Sequence, residues 1–294
     1  LSNGDLHIGG LSGTYNSTLG GCSKQTSGHK MTWRIGGANT DETFAGVINN
    51  KASNTADKYD GTTNIVKEGS GDWRLSGTNV YTGTTTVEGG RLIVNGTHTT
   101  GGAYTVNNGA TLMGRGTIGS KVTIKEGGTI CPGDTSTLIP YTLKLNGGLT
   151  VNKNGQMEFI VTRKDSRCYS NRLEITGTCV INGATLVLNI NNAAEIPDDT
   201  ELILFSKLGT VSGTGFTTII PAQPSETQLW DTSTLLTNGR IRVVNKEKAL
   251  GIESLNSDAC NDRDSTYDLS GRKVSSSAKG MVIKNGNVYF LSGK

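Results

Sequence analysis

Apolar residues stand singly or in pairs between glycine turns along most of this chain. In "GSGDWRLSGTNVYTGTTTVEGGRLIVNG", residues 69–96, they are Trp73, Leu75, Val80, Tyr81, Val87, Leu92, Ile93 and Val94. Between turns the period is two. In "ATLVLNI" Leu186, Leu188 and Ile190 share one side, while Thr185, Val187 and Asn189 share the other. In "TLKLNG" Leu143 and Leu145 oppose Lys144. No helical pattern of ten or more residues occurs, so the prediction is strands throughout.

The turns themselves repeat. "VNNGATL" (Val106 to Leu112), "IKEGGTI" (Ile124 to Ile130) and "INGATLVL" (Ile181 to Leu188) share one design, with "VEGGRLIV" and "VNKNGQMEFIV" as variants. An apolar residue enters an Asn/Glu–Gly turn, and a small residue and a threonine lead out to another apolar one. Gly90 to Gly109 is 19 residues and Gly109 to Gly127 is 18, whereas Gly127 to Gly155 and Gly155 to Gly183 are 28 each. A period near 20 with longer excursions is the signature of stacked coils carrying inserted loops. Strands this short bury one face, and stacking each on its equivalent in the next coil creates a continuous core. Glycine and asparagine supply positive φ at the corners, and threonine suits the outer sheet surface. The pattern predicts an all-β parallel β-helix of ten to twelve coils, on the order of 50 Å long at about 4.8 Å per coil.

Composition narrows the classes. The 294 residues suffice for one extended or two compact domains, and the hydrophobic fraction is a low 34%. With 41 glycines but only 5 prolines, the chain is neither collagen nor a proline-rich linker. The net charge of +3 comes from dispersed residues without a Lys/Arg block, which argues against a nucleic-acid partner. No apolar run approaches the ~20 residues of a membrane helix. The five cysteines, Cys22, Cys131, Cys168, Cys179 and Cys260, include no C-x-x-C pair, so neither a zinc site nor a disulfide framework is indicated. Cys168 and Cys179 flank the short stretch "CYSNRLEITGTC" and are read as either bridged or free and packed.

Two segments carry a family resemblance. "IGGANTDETFAGVI" (Ile35 to Ile48) and "IVKEGSGDWRLSGTNVYTGTTTVEGGRLIVNG" (Ile65 to Gly96) resemble the autotransporter-associated β-strand repeat, also called the passenger-associated transport repeat. "NRLEITGTCVINGATLVL" is similar to a later rung of that family, and "LFSKLGTVSGTGFTTIIPAQPSETQLWDTSTLLTNGRIRV" to its closing segment. The resemblance covers about residues 5–245. It implies a right-handed β-helix in a secreted or outer-membrane-surface protein of a Gram-negative bacterium, with a presenting or export-assisting role and no particular activity. The tail, "LGIESLNSDACNDRDSTYDLSGRKVSSSAKGMVIKNGNVYFLSGK", is similar instead to C-terminal sorting modules of type IX secretion. Its "YDLSGRKV" and "GMVIKNGNVYFL" read as strands joined by Ser-Gly and Asn-Gly turns in a small antiparallel sheet. The organisation expected is therefore a β-helix over 1–245 and a sorting or capping module over 246–294. Because "LSNGDLHIGG" begins in mid-pattern, a longer precursor or a capping segment is expected before Leu1.

Candidate chemistry is sparse. Some β-helices are polysaccharide lyases or hydrolases, which need a base beside carboxylates, or two carboxylates at ~5 to 9.5 Å. No column of carboxylates recurs at the coil period. Asp198-Asp199, between Ile196-Pro197 and "TELILF", reads as a turn before a buried strand. His7, His29 and His98 stand among polar residues without a partner at a recognisable spacing and are read as exposed. No calcium nonapeptide, P-loop or dinucleotide fingerprint occurs. "GRGTIG" contains G-x-G but precedes no helix. Sugar-stacking aromatics could be Trp33, Tyr104 and Tyr169, whereas Trp73, Tyr81 and Trp230 hold structural positions in the repeat. Asn16 and Asn95 open incidental glycosylation sequons. No catalytic, cofactor-binding or metal residue is assigned, no cofactor is expected, and any ligand-binding residue is unknown. The reading is a non-catalytic presentation module, adhesin-like or glycan-binding. Its partners would be an extracellular glycan or host surface, and the secretion machinery through the C-terminal module. The alternative is a lyase or hydrolase of acidic polysaccharide, acting through loops 51–63 or 132–141, or the non-catalytic C-terminal part of one.

Overall fold

The computed structural model describes residues 4–21, 29–51, 61–134, 140–164, 167–191, 196–249, 266–268, 273–274, 280–284 and 287–291. The chain divides into two compact units, Leu1–Asn245 and Lys246–Lys294.

The first unit is a parallel β-helix with three strand faces per coil. One face stacks Gly4–Ile8, Lys30–Ile35, Thr62–Lys67, Thr85–Val87, Tyr104–Val106, Val122–Ile124 and Leu149–Val151, followed by the first residues of Cys179–Asn191 and of Val211–Ile220. A second stacks Glu42–Phe44, Asp72–Leu75, Arg91–Val94, Thr111–Gly114, Thr129–Pro132 and Gln156–Lys164, then the later parts of the same two long strands. The third holds Thr78–Asn79, Thr97–His98, Thr117–Ile118, Thr142–Leu145, Arg172–Ile175 and Phe205–Lys207. Nine levels stand on the first face among the described residues, fewer than the ten to twelve coils expected. The inserted loops lengthen individual coils without adding levels. At about 4.8 Å per step the stack is roughly 40 Å long.

Register makes the interior. Val87, Val106, Ile124, Val151 and Ile181 are paired level upon level on the first face. Trp73, Leu92, Leu112, Ile130, Met157 and Leu186 do the same on the second. All these side chains are buried, as are Leu143 and Leu145 flanking the exposed Lys144. Full burial of each aliphatic side chain contributes about 1.5–3 kcal/mol. Outward, the alternate positions of the first face form a threonine column of Thr86, Thr105, Thr123 and Thr150. The coil period varies as the turns indicated. Asp72 pairs with Arg91 and Arg91 with Thr111 at the short period, but Thr129 pairs with Gln156 and Gln156 with Thr185 across longer coils.

One outward column breaks the pattern. Ile93, Met113 and Cys131, paired level upon level, form a second small buried apolar cluster with Ile160 on the outside of the second face. Gly133 pairs back onto Gly114, and Asp134 reaches Arg74, the neighbour of Ile93 in register, at 2.9 Å. Gly133 and Asp134 thus fold back against that face.

The β-helix closes on an antiparallel sheet of Glu201–Ile203, Arg240–Asn245 and Gln228–Asp231. Leu202, Ile241 and Val243 bury into the core together with Leu235 of the four-residue helix Leu235–Asn238. Gln228 is buried there and donates from Nε2 to Ile196 O at 2.8 Å and Asp198 Oδ1 at 2.7 Å.

In the second unit, Lys273–Val274, Thr266–Asp268, Gly280–Lys284 and Asn287–Leu291 form a four-stranded antiparallel sheet in that order, the kind of sheet expected from "YDLSGRKV" and "GMVIKNGNVYFL". The two turns proposed to join these strands lie outside the described residues.

Candidate functional site

Polar side chains enter the interior where the third face turns into the first. In the strand Thr97–His98 alternation turns Thr97 outward and His98 inward, and His98 is fully buried rather than exposed as expected. Tyr104, considered as a sugar platform, is fully buried as well. His98 Nε2 lies 2.8 Å from Tyr81 O, and a carbonyl only accepts, so Nε2 carries the proton. Nδ1 then accepts from Tyr104 Oη at 2.7 Å. Tyr81 Oη sits 2.6 Å from Thr85 Oγ1 and 3.3 Å from Tyr104 Oη, and the Tyr81 and His98 rings stack at 3.9 Å. Burial lowers the His98 pKa, pushes Tyr104 up to about 12 and raises Tyr81 well above the usual phenol value. The cluster is neutral, mutually bonded and sealed from solvent. It can specify a core but cannot exchange protons with a substrate.

Lys67 is a second buried polar group, and the sequence reading passed over it. Its ammonium donates to Glu68 O at 2.7 Å, Gly69 O at 3.0 Å and Gly89 O at 3.1 Å, so its three protons tie together the corners of two successive coils. Desolvation lowers its pKa, and Asp72, Glu68 and Asp41 counteract that.

Carboxylates on the outer surface are used in cross-coil pairs, from the largely covered Asp72 to the exposed Asp5 and Glu88. Asp72 takes Arg91 Nη2 at 2.8 Å, and Arg34 bonds both Asp5 at 3.2 Å and Glu88 at 3.0 Å. His7 is exposed as expected, yet it has a partner in Glu68 Oε1 at 3.2 Å. Asp198 and Asp199 form a turn with Asp199 at φ 60°, directly before Glu201–Ile203. Trp33 is half-buried and donates from Nε1 to Gly20 O at 3.0 Å, while Tyr169 is half-buried in the strand Arg167–Ser170. These two and Tyr104 therefore form no stacking platform. Trp73 is buried, and Trp230 packs against the core and donates to Pro221 O at 3.0 Å. Cys131, Cys168 and Cys179 are free thiols, so Cys168 and Cys179 are not bridged. Burial raises the pKa of all three. Asn16 is exposed, and Asn95 Oδ1 accepts from Arg115 N at 3.3 Å. Of the loops considered for catalysis, residues 52–60 and 135–139 lie outside the described residues. Among the described residues no group of three or more His, Cys, Asp or Glu could hold a metal ion, and no helix is long and apolar enough to cross a membrane.

A shallow groove of about 670 Å³, wide open to solvent, lies on the corner that follows the first face, lined by Asn107, Asn108, Lys125, Glu126, Asn152 and Lys153. These residues come from three successive coils. They follow Val106, Ile124 and Val151, which are paired in register, so equivalent turn positions repeat along the stack. The turns are bonded coil to coil: Gly109 N donates to Gly127 O at 3.0 Å, Gly127 N to Asn154 O at 3.2 Å and Asn154 N to Gly183 O at 3.1 Å. The sequence reading recognised these Asn/Glu–Gly turns as corners. That they line a common groove depends on the stacking.

The curated proteins include none that matches this chain. Residues 65–94, which run from the first-face strand Thr62–Lys67 through the coil of Trp73 and Tyr81 to Val94, match the family model of the passenger-associated-transport-repeat.

Proposed function

We propose that this chain is a non-catalytic presentation module of a secreted or outer-membrane-surface protein of a Gram-negative bacterium. The observation that carries this reading is the parallel stacking of nine levels over one core in which the buried polar groups Lys67, Tyr81, His98 and Tyr104 are consumed by bonds inside it. A scaffold of this kind holds surface residues at fixed spacing along its axis, which is what a passenger segment or adhesin-like stalk requires. The passenger-repeat match within residues 65–94 supports placement in exported proteins. The four-stranded antiparallel unit from Lys246 onward serves export in this reading, as a sorting module recognised by the secretion machinery.

Incubation with a panel of acidic polysaccharides tests the first part. No unsaturated-uronate absorbance and no new reducing ends are expected, and either product would replace the module by an enzyme. Fusing residues 246–294 to a periplasmic reporter in a strain with type IX secretion tests the second. The reporter should reach the cell surface or medium, and its retention in the periplasm would remove the sorting role.

A further inference from the structure

We infer that the corner groove lined by Asn107, Lys125 and Asn152 and by Asn108, Glu126 and Lys153 binds a uronate-bearing oligosaccharide lying along the stack of coils. This deepens the presentation reading by giving the scaffold a ligand class and a place for it.

The lining selects the chemistry. Three carboxamides offer paired donors and acceptors suited to vicinal hydroxyls. The Lys125 and Lys153 side chains are exposed and have no ion pair among the described residues. Glu126 is engaged by Asn154 Nδ2 at 2.9 Å and remains a negative charge in the groove wall. Nucleic acid and polyphosphate space their charges more closely than one per sugar ring, and the lining offers two lysines against one carboxylate with no Arg fork for bidentate phosphate contacts. A hydroxyl-rich chain with a carboxylate on each ring can set its charges against the two lysines and its hydroxyls against the amides.

Two further features point to an occupant. Asn107 Oδ1 is buried and makes no hydrogen bond, so turning this amide toward a ligand breaks no bond at that oxygen. The turn backbone is fixed by the coil-to-coil bonds described above, so a ligand meets a preformed surface and orders little of it. Three equivalent levels about 4.8 Å apart suit an extended chain running along the axis better than a single compact ring.

The test is calorimetric titration of the full chain with tetragalacturonate, with maltotetraose and inorganic polyphosphate as comparison ligands. Saturable binding of tetragalacturonate alone is expected, with Kd at or below about 1 mM. The double substitution Lys125→Ser, Lys153→Ser should weaken it about tenfold, each lysine giving about two- to fivefold. Raising the salt should weaken the wild type likewise. Lys121→Ser, at the opposite end of a first-face strand, should leave binding unchanged. On the wild type itself, bound tetragalacturonate should slow acetylation of Lys125 and Lys153, read by mass spectrometry, without slowing that of Lys144 on the third face. No saturation, equal binding of either comparison ligand, or unprotected Lys125 and Lys153 overturns the inference while the presentation reading stands. Cleavage of the tetrasaccharide overturns the presentation reading, and lysine protection still reports on the groove.

Discussion

His98 is a histidine whose surroundings oppose its protonation. It accepts one hydrogen bond and donates one, and both partners are as buried as the ring itself. In the unfolded chain it takes a proton near its ordinary pKa of about 6.5, whereas in the fold burial holds its pKa lower. The unfolded state therefore binds more protons below pH ~6.5, and folding stability declines as the pH falls from there toward the lowered folded value. Urea unfolding at pH 7.5 and pH 5.5 should show this decline, and His98→Asn should flatten it. His98→Ala removes the acceptor of Tyr104 Oη and the donor to Tyr81 O in the core and should cost about 2–3 kcal/mol at pH 7.5. Lys67→Met should cost a similar amount, about 2–3 kcal/mol in urea unfolding, because Glu68 O, Gly69 O and Gly89 O all lose their donor. Neither role was legible in the sequence. His98 sits among threonines and glycines and Lys67 beside a glutamate, so both resemble surface residues until the coil is closed.

At the scale of the strand and the turn, the repeat was far more legible. Alternation identified Leu143, Leu145, Leu186 and Leu188 as inward, and all four are buried. The glycines after the second-face strands have a separate reason to be there. A Cβ on Gly77 would collide with Gly46 O, one on Gly96 with Gly77 O and one on Gly116 with Gly96 O, so this corner stacks backbone directly on backbone. Gly96→Ala should therefore lower stability by about 3 kcal/mol or more, against the tenths typical of exposed sites, as read by thermal or urea unfolding. Leu112→Ala, in the middle of the paired apolar column of the second face, should cost about 2–5 kcal/mol by the same measurement. The outward cluster of Ile93, Met113 and Cys131 escaped the alternation rule. Period two assigns these residues to solvent, yet they are buried together with Ile160, on the face where Gly133 pairs back onto Gly114 and Asp134 reaches Arg74.

For the β-helix as a whole, the backbone of each level pairs only with the levels before and after it. Stability is then approximately a sum of nearest-neighbour terms. Amide hydrogen exchange should be slowest in the central strands, such as Tyr104–Val106, Thr111–Gly114 and Val122–Ile124, which are paired on both edges. It should be faster in Val211–Ile220, whose described pairing is with Cys179–Asn191 alone. Uniform protection along the stack would show a single cooperative block instead. The closing sheet of Glu201–Ile203, Arg240–Asn245 and Gln228–Asp231 runs antiparallel and buries Leu202, Ile241 and Val243 against the last coils, a change of topology that ends the stack.

The sequence by itself determined the strand class, the coil period, the corner positions and the inward aliphatic columns. These follow from local rules, since alternation and turn chemistry act over a few residues and survive loop insertion. The tertiary structure alone decided which polar residues are buried, which outward residues are covered and which corner becomes a groove. His98 stacks on Tyr81, Ile93 meets Met113, and Asn107 shares a groove with Lys125 and Asn152, only because residues 17 or more positions apart lie one strand spacing from each other. That proximity is created by stacking, and no segment carries it alone.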